Sequence, residues 1–245
     1  MIIYDPILKI FRSSFLNNES FQGGFSTKML GDGRKSENII KFFKSNNIPF
    51  KKMILLEQIH SVNIATYQSQ NDNEIEIIEE TDGVVTNESN VLLIVRTGDC
   101  VPIQFYDRKN NIIGISHQGW RGSVKQMVRK MIQAILDLGA QLSSIHLAIG
   151  PCIGQCCYEI SDDLYYEFME TLDGYSDKIF TQRHGKWYLN LLLLNYLLAL
   201  NFGIDKKHID FFPFCTKCDD VRFFSFRRDK KADYGEMFSY IMKRI

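Results

Sequence analysis

Strands that outnumber the helices and arrive as hairpins predict an α+β fold rather than a doubly wound parallel sheet. The clearest hairpin lies mid-chain, in the stretch VLLIVRTGDCVPIQFYDRKNNIIGISHQGWRG at residues 91–122. Residues 91–95 read as an apolar strand that runs into a tight Arg-Thr-Gly-Asp-Cys turn. Arms at 102–107 and 112–117 then flank the polar turn Arg108-Lys109-Asn110-Asn111. A third observation is the helix that follows at once. Val124, Met127, Val128, Met131, Ile132, Ile135 and Leu136 keep helical spacing, with Ser123 as expected N-cap and Gly139 as the stop.

With 245 residues the chain is read as one domain, 1–245. A content of 45% hydrophobic and 24% charged residues is that of an ordinary globular protein. Lys+Arg 29 balances Asp+Glu 29, so no basic field argues for nucleic acid or an anionic membrane. The start, MIIYDPILKIF, is broken by Asp5 and Pro6 and does not read as a secretory signal. The longest apolar run, WYLNLLLLNYLLAL, falls short of the roughly 20 residues a membrane span needs. Six cysteines in such a chain read as reduced thiols or ligands, and the expected location is cytoplasmic.

Taken in order, residues 22–27 (Gln-Gly-Gly-Phe-Ser-Thr) read as a flexible loop. Its N–H groups and hydroxyls could take an anion, unless it is a plain turn. A short helix is expected over 36–46 and a strand over 53–56, with extended chain at 62–67. The acidic stretch 71–80 reads as a solvated connection. Asp82-Gly83 reads as a turn of positive φ entering a strand. Further strands are expected at 145–149, 208–214 and 222–227. Helices are expected from Ser161 to about residue 172 and over 189–201, the second ended by Gly203. Residues 236–242 fit a strand or a helix equally.

The hairpin register carries the chemistry. If Asp107 faces Ile112, Pro102 faces His117, and Cys100, two residues from Pro102, shares a face and an end with that imidazole. Gly98, Gly119 and Gly122 keep the surrounding backbone bare. His60 sits at another junction of apolar run and polar turn. Two imidazoles and a thiolate suit Zn²⁺, with a fourth position left for water or substrate. The same atoms suit a Cys100 nucleophile with His117 as base, or a buried cysteine with two satisfied histidines. Arg121 opens the long helix and Arg227-Arg228-Asp229 closes a strand, both fitting anion sites. Cys215-Thr216-Lys217-Cys218 has zinc-knuckle spacing but no second pair nearby in sequence. It reads as two plain thiols, and Cys152, Cys156 and Cys157 read as packing. His146, His184 and His208 read as structural.

Together these segments resemble one family. Gln58-Ile59-His60-Ser61, Asp82-Gly83-Val84-Val85-Thr86 and Thr97-Gly98-Asp99-Cys100-Val101-Pro102 come first. His117-Gln118-Gly119-Trp120-Arg121-Gly122, Gly150-Pro151-Cys152-Ile153-Gly154 and Phe224-Ser225-Phe226-Arg227-Arg228-Asp229 follow, in the order found in the YfiH family, also called the laccase-domain or polyphenol oxidase family. The resemblance extends from Gly24 to the C-terminus. It implies a compact sandwich of mixed sheets flanked by helices, similar to toxin-type cysteine hydrolases. It implies zinc on His60, Cys100 and His117, the residues to which catalysis would also fall. The implied activities are phosphorolysis of adenosine, inosine, guanosine and methylthioadenosine, and deamination of adenosine. Phosphate would be held by Arg121, Arg227 and the Ser26 loop. Asp99 is the acid nearest in sequence, although it could instead cap its turn.

The family also implies two other chemistries, a Cys/His amidase editing peptidoglycan precursors and a copper-dependent polyphenol oxidase. Copper is disfavoured because such oxidases need more than the five histidines present. The expected partners are purine nucleosides and phosphate, not nucleic acid or membrane, and with no evident interface a monomer is expected. The chain departs from the family pattern at Gly23, where His is usual, at Asn190, where Asp is usual, and at Glu236, where Arg is usual.

Overall fold

The structure, a computed structural model, describes residues 1–16, 20–172 and 174–244. Among them the strands form two large mixed sheets and one small one. The first sheet runs, in spatial order, Ile2–Asp5, Ile10–Ser13, Phe21–Ser26, Met237–Lys243, Val91–Thr97, Lys52–Leu56 and Ile75–Ile78. The second runs Ile209–Phe211, Ile145–Ile149, Val101–Asp107, Ile112–Gln118, Gly83–Thr86 and Ile64–Thr66.

Alternation along the strands explains how the layers stack. Leu93 and Val95 join Ile113 and Ile115 of the second sheet in one core, between the sheets. Their strand neighbours Leu92 and Ile94 point the other way, onto Ile39, Phe42 and Phe43 of the Ser36–Ser45 helix. On the far side of the second sheet, Ile103, Phe105 and Ile112 pack on the Met127–Asp137 and Leu191–Phe202 helices. The result is helix, sheet, sheet, helix. Strands covered on both faces read as unbroken apolar runs, as Val91–Val95 does, and every residue of Val101–Asp107 and Ile112–Gln118 is buried. The fold is α+β with mixed sheets flanked by helices, as expected.

Within the Met127–Asp137 helix the predicted stripe of Met127, Val128, Met131, Ile132 and Ile135 is fully buried. At about 1.5–3 kcal/mol per buried side chain, that stripe holds helix to sheet. The expected single helix from Ser123 is instead two. Trp120–Val124 forms a first turn with Gly119 as N-cap, and Gln126, at φ 58°, breaks it from the second. Ser123 does not cap, and its hydroxyl instead accepts from Asn195 Nδ2 at 2.9 Å, tying this first turn to the Leu191–Phe202 helix. Ser161 and Asn190 do cap, accepting the N–H of Leu164 and Leu193.

Other expectations change for similar reasons. The Gln22–Thr27 loop is mostly a strand, Phe21–Ser26, held between two partners in the first sheet. The acidic connection contains an edge strand, Ile75–Ile78, whose Glu76 binds the buried Lys52 ammonium at 3.0 Å. Neither Asp82 nor Gly83 has a positive φ. Residues 222–227 form turns around Asp99 and Asp229 rather than a strand, and the 208–214 strand shortens to Ile209–Phe211. The unsettled segment is a central strand, Met237–Lys243, because both its faces are buried. No helix among the described residues is long and apolar enough to cross a membrane.

Candidate active site

One strand and two loops meet at one end of the second sheet. His117 is next to last in the Ile112–Gln118 strand and faces Pro102 across the hairpin, the register expected from the sequence. Cys100 directly precedes the Val101–Asp107 strand, so its sulfur lies at the same end. His60 arrives from the loop after Lys52–Leu56, with a left-handed φ of 61°. One ligand atom from each of the three lies within 4.8 Å of the others. Cys100 Sγ is 3.8 Å from His60 Nε2, and the two imidazoles meet edge to face at 4.7 Å. Gly119 makes this approach possible, since a Cβ there would sit 2.8 Å from His60 Cδ2 and 3.2 Å from Cys100 Sγ.

Asp82 holds the group together from beneath, fully buried. Its Oδ1 accepts from His117 Nδ1 at 2.7 Å and from the His60 N–H at 3.1 Å. Its Oδ2 accepts the N–H and hydroxyl of Ser61 at 2.6 and 2.7 Å and the Ile59 N–H at 3.2 Å. A carboxylate that only accepts fixes the His117 proton on Nδ1 and leaves Nε2 as the ligand atom. Burial works against the charge of Asp82, but the bonds from His117 and Ser61 hold its pKa below the ordinary carboxylate value.

The same balance acts on the sulfur. Burial alone would raise the Cys100 thiol, yet the charge of His117 and hydrogen bonds from His117 and His60 bring it down to about 7. Burial likewise opposes a charged His117, but the Cys100 thiolate and Asp82 outweigh it and lift the imidazole to about 10. Without a metal both shifts favour the thiolate–imidazolium pair over two neutral groups. A thiolate and two imidazoles, one of them oriented by Asp82, also make a good donor set for a divalent metal ion.

All three residues border a cavity of about 690 Å³, a size that suits a small organic molecule. Trp120, Tyr158, Phe226 and Tyr234 supply aromatic walls, and Arg34, Arg96, Arg121 and Arg227 supply positive charge. Arg121 stacks on Trp120 at 4.4 Å and Arg227 on Tyr158 at 4.9 Å. Arg34 is committed to Asp32 at 2.7 Å, whereas among the described residues no carboxylate forms an ion pair with Arg121 or Arg227. Arg227 Nη1 donates to the Glu159 carbonyl at 2.8 Å, which leaves its remaining N–H groups and the Arg121 guanidinium to meet an anion.

Arg121 and Arg227 both line the cavity. Ser26 does not. It is buried in its strand, and its hydroxyl accepts the Phe238 N–H at 2.8 Å, outside the cavity. Asp99 borders the cavity but receives the Thr216 hydroxyl, the Ser225 hydroxyl and the Arg227 N–H at 2.5, 2.9 and 2.8 Å. It organises the wall as an acceptor. Gly23 lies in its strand against Leu16 and Gln104, away from the cavity, while Glu236 lines the cavity and accepts from the Tyr234 hydroxyl at 2.9 Å. His146 and His208 stack on each other at 4.0 Å elsewhere.

Sequence reasoning missed Asp82 as a second-sphere residue. The pairing of Gly83 with Ser116, between strands that no hairpin joins, sets Asp82 beside His117. Tyr158 and Tyr234 were missed as well. They come from loops, where no periodicity points to a cavity.

Known proteins share this arrangement of chain. Residues 26–244 match the family model described as multi-copper polyphenol oxidoreductase laccase. A purine nucleoside phosphorylase, YlmD of Bacillus subtilis, is 35% identical over 67% of this chain, and the match spans 59% of that protein's length. YlmD of Geobacillus stearothermophilus, also named a purine nucleoside phosphorylase, is 32% identical over 80% of this chain and 74% of its own. Its crystal structure superposes with a TM-score of 0.85 over 97% of both chains, at 26% identity. A protein from an unknown prokaryote, named adenosine deaminase RL5, is 28% identical over 72% of this chain and 70% of its own. With the family model covering nearly the whole sequence, the chain belongs to the laccase-like polyphenol oxidoreductase family, the YfiH family.

Proposed function

We propose that this chain is a zinc-dependent purine nucleoside enzyme that both phosphorolyses purine nucleosides and deaminates adenosine. The observation that carries the reading is one cavity bordered by His60, Cys100 and His117, by aromatic walls and by Arg121 and Arg227, which have no carboxylate partner among the described residues. The names of the relatives support it, since two are called purine nucleoside phosphorylases and one an adenosine deaminase.

Each wall has a task in this reading. A purine is a flat π-system, and Trp120, Tyr158 and Tyr234 offer faces and edges against which it can stack. Arg121 and Arg227 would orient phosphate for attack on the anomeric carbon, with their stacking on Trp120 and Tyr158 keeping each guanidinium extended. His60, Cys100 and His117 would hold Zn²⁺, which supplies a Lewis acid able to acidify a water or polarise the purine. Asp82 keeps His117 Nε2 aimed at the centre. Adenosine, inosine, guanosine and methylthioadenosine are the proposed substrates. Purified enzyme incubated with adenosine, with and without phosphate, tests this by chromatography. Adenine appearing only with phosphate supports phosphorolysis, and inosine in either case supports deamination. Neither product from zinc-loaded, folded protein would end the proposal.

A second reading draws on a specific observation. Asp82, His117 and Cys100 follow one another as orienting acid, base and thiol, the arrangement of a cysteine amidase. Hydrolysis of a muramyl-peptide amide that persists after chelation and is abolished by iodoacetamide would favour it over the nucleoside reading.

A further inference from the structure

A second group of sulfurs lies outside the cavity. The Sγ atoms of Cys156, Cys157, Cys215 and Cys218 all fall within 4.8 Å of one another, with Cys157 to Cys218 at 3.4 Å and Cys156 to Cys218 at 3.6 Å. None is in a disulfide, whose sulfurs would be about 2.05 Å apart. Four sulfurs at about 2.3 Å from a tetrahedral zinc ion stand roughly 3.8 Å from each other. The observed spacing is of that kind.

The local backbone supports the same arrangement. Cys157 and Tyr158 turn back to the Gly154 carbonyl at 2.9 and 3.0 Å, which brings the adjacent thiols to one side. Cys215 Sγ receives the backbone N–H groups of Gly154 and Cys218, donors that stabilise a thiolate within a Cys-x-x-Cys turn. The turns are joined by the Thr216 N–H to the Cys152 carbonyl at 3.0 Å. At Gly154 a Cβ would stand 3.0 Å from Cys215 Cβ and 3.2 Å from Cys156 Sγ, so a larger residue would push into the cluster. Lys217 and Arg227 border the adjoining groove and offset the negative charge that a tetrathiolate centre carries.

We propose that Cys156, Cys157, Cys215 and Cys218 form a second metal site, a closed tetrathiolate for Zn²⁺. Four protein ligands leave no position for substrate, so its role is to hold chain rather than to react. It ties the turn carrying Ile153 and Tyr158 to the segment carrying Phe226 and Arg227, two parts of the cavity wall that also meet through Asp99.

Metal content and cobalt spectroscopy on purified, reduced protein test the site without reference to activity. Wild type should hold about two zinc ions per chain, and both Cys100→Ala and the double variant Cys156→Ser/Cys218→Ser should lose about one. Loaded with Co²⁺, Cys100→Ala should keep the intense absorption of a tetrathiolate centre and the double variant should lose it. Should the double variant fail to fold, wild type decides the matter. Iodoacetamide should label Cys156 and Cys218, both exposed, at least about tenfold more slowly in zinc-loaded than in chelator-stripped protein. A folded double variant with wild-type metal content, or equal labelling rates in the two states, overturns the proposal.

Discussion

Two sulfur-bearing groups border neighbouring hollows that share Arg227, and they are built in contrasting ways. At Cys100 a single thiol meets two imidazoles, one inside a buried strand and the other on a loop pinned by its backbone, over a buried carboxylate that takes five hydrogen bonds. At Cys215 four thiols meet on turns, with backbone N–H groups as their support and two of the four exposed. Strand ends fix side chains rigidly and can leave one direction open, which is what a reacting centre needs. Turns fix little until something ties them, which is what a structural metal does. The difference teaches which centre should govern turnover and which should govern stability.

The sharpest break in that contrast is Cys100→Ala. Both nucleoside activities should fall by on the order of 10³-fold or more, because removing one member of a catalytic unit disables the whole. The thermal transition should move little, since the buried strands remain intact. Retained adenosine turnover in this folded variant would refute a shared cavity for the two reactions.

Gly119→Ala comes next. The added methyl would stand 2.8 Å from His60 Cδ2, so His60 or its loop must shift. Displacement on the scale of 1 Å costs about 10²-fold in rate, and kcat should fall by about that factor while far-ultraviolet circular dichroism stays unchanged. Asp82→Asn should cost about 10–100-fold in zinc affinity, read by competition with a chromophoric chelator. The amide cannot take the His117 proton and the Ser61, His60 and Ile59 donors together, so the loop should also lose order.

These residues also mark what a sequence can give. The hairpin register of 102–107 against 112–117 was legible because two short apolar arms and a polar turn leave few alternatives, and Cys100 and His117 followed from it. The helical stripe from Met127 to Ile135 was legible for the same reason, although the break at Gln126 was not, because it answers to a tertiary bond between Ser123 and Asn195. Ser26 was misplaced because glycines at 23 and 24 look like a loop when they serve close sheet packing, with Gly24 against Tyr240 and Ile10. The four-cysteine group was hidden by distance along the chain. Its two pairs lie about sixty residues apart, and a Cys-x-x-Cys does not specify how far along the chain its partner pair lies.

The smallest effect, and the one that compares the centres most directly, is the pH at which their thiols lose protons in metal-free protein. Cys100 is brought down to about 7 by two imidazoles, whereas burial and its sulfur neighbours push Cys157 up to about 11 and Cys156 higher still. Only the thiolate is alkylated, so the rate at a given sulfur rises as pH climbs through its own pKa and levels above it. Iodoacetamide should therefore modify Cys100 before Cys156 or Cys157 at pH 7.5, although Cys156 is the more exposed. Lowering the pH below about 7 should slow the Cys100 reaction about tenfold per unit, as the thiolate fraction falls. In Asp82→Asn, with His117 less able to stay charged, the Cys100 midpoint should move back towards the ordinary thiol value. Peptide mapping across a pH series reads both, and a Cys100 midpoint no lower than that of Cys157 would remove the electrostatic distinction between the two centres.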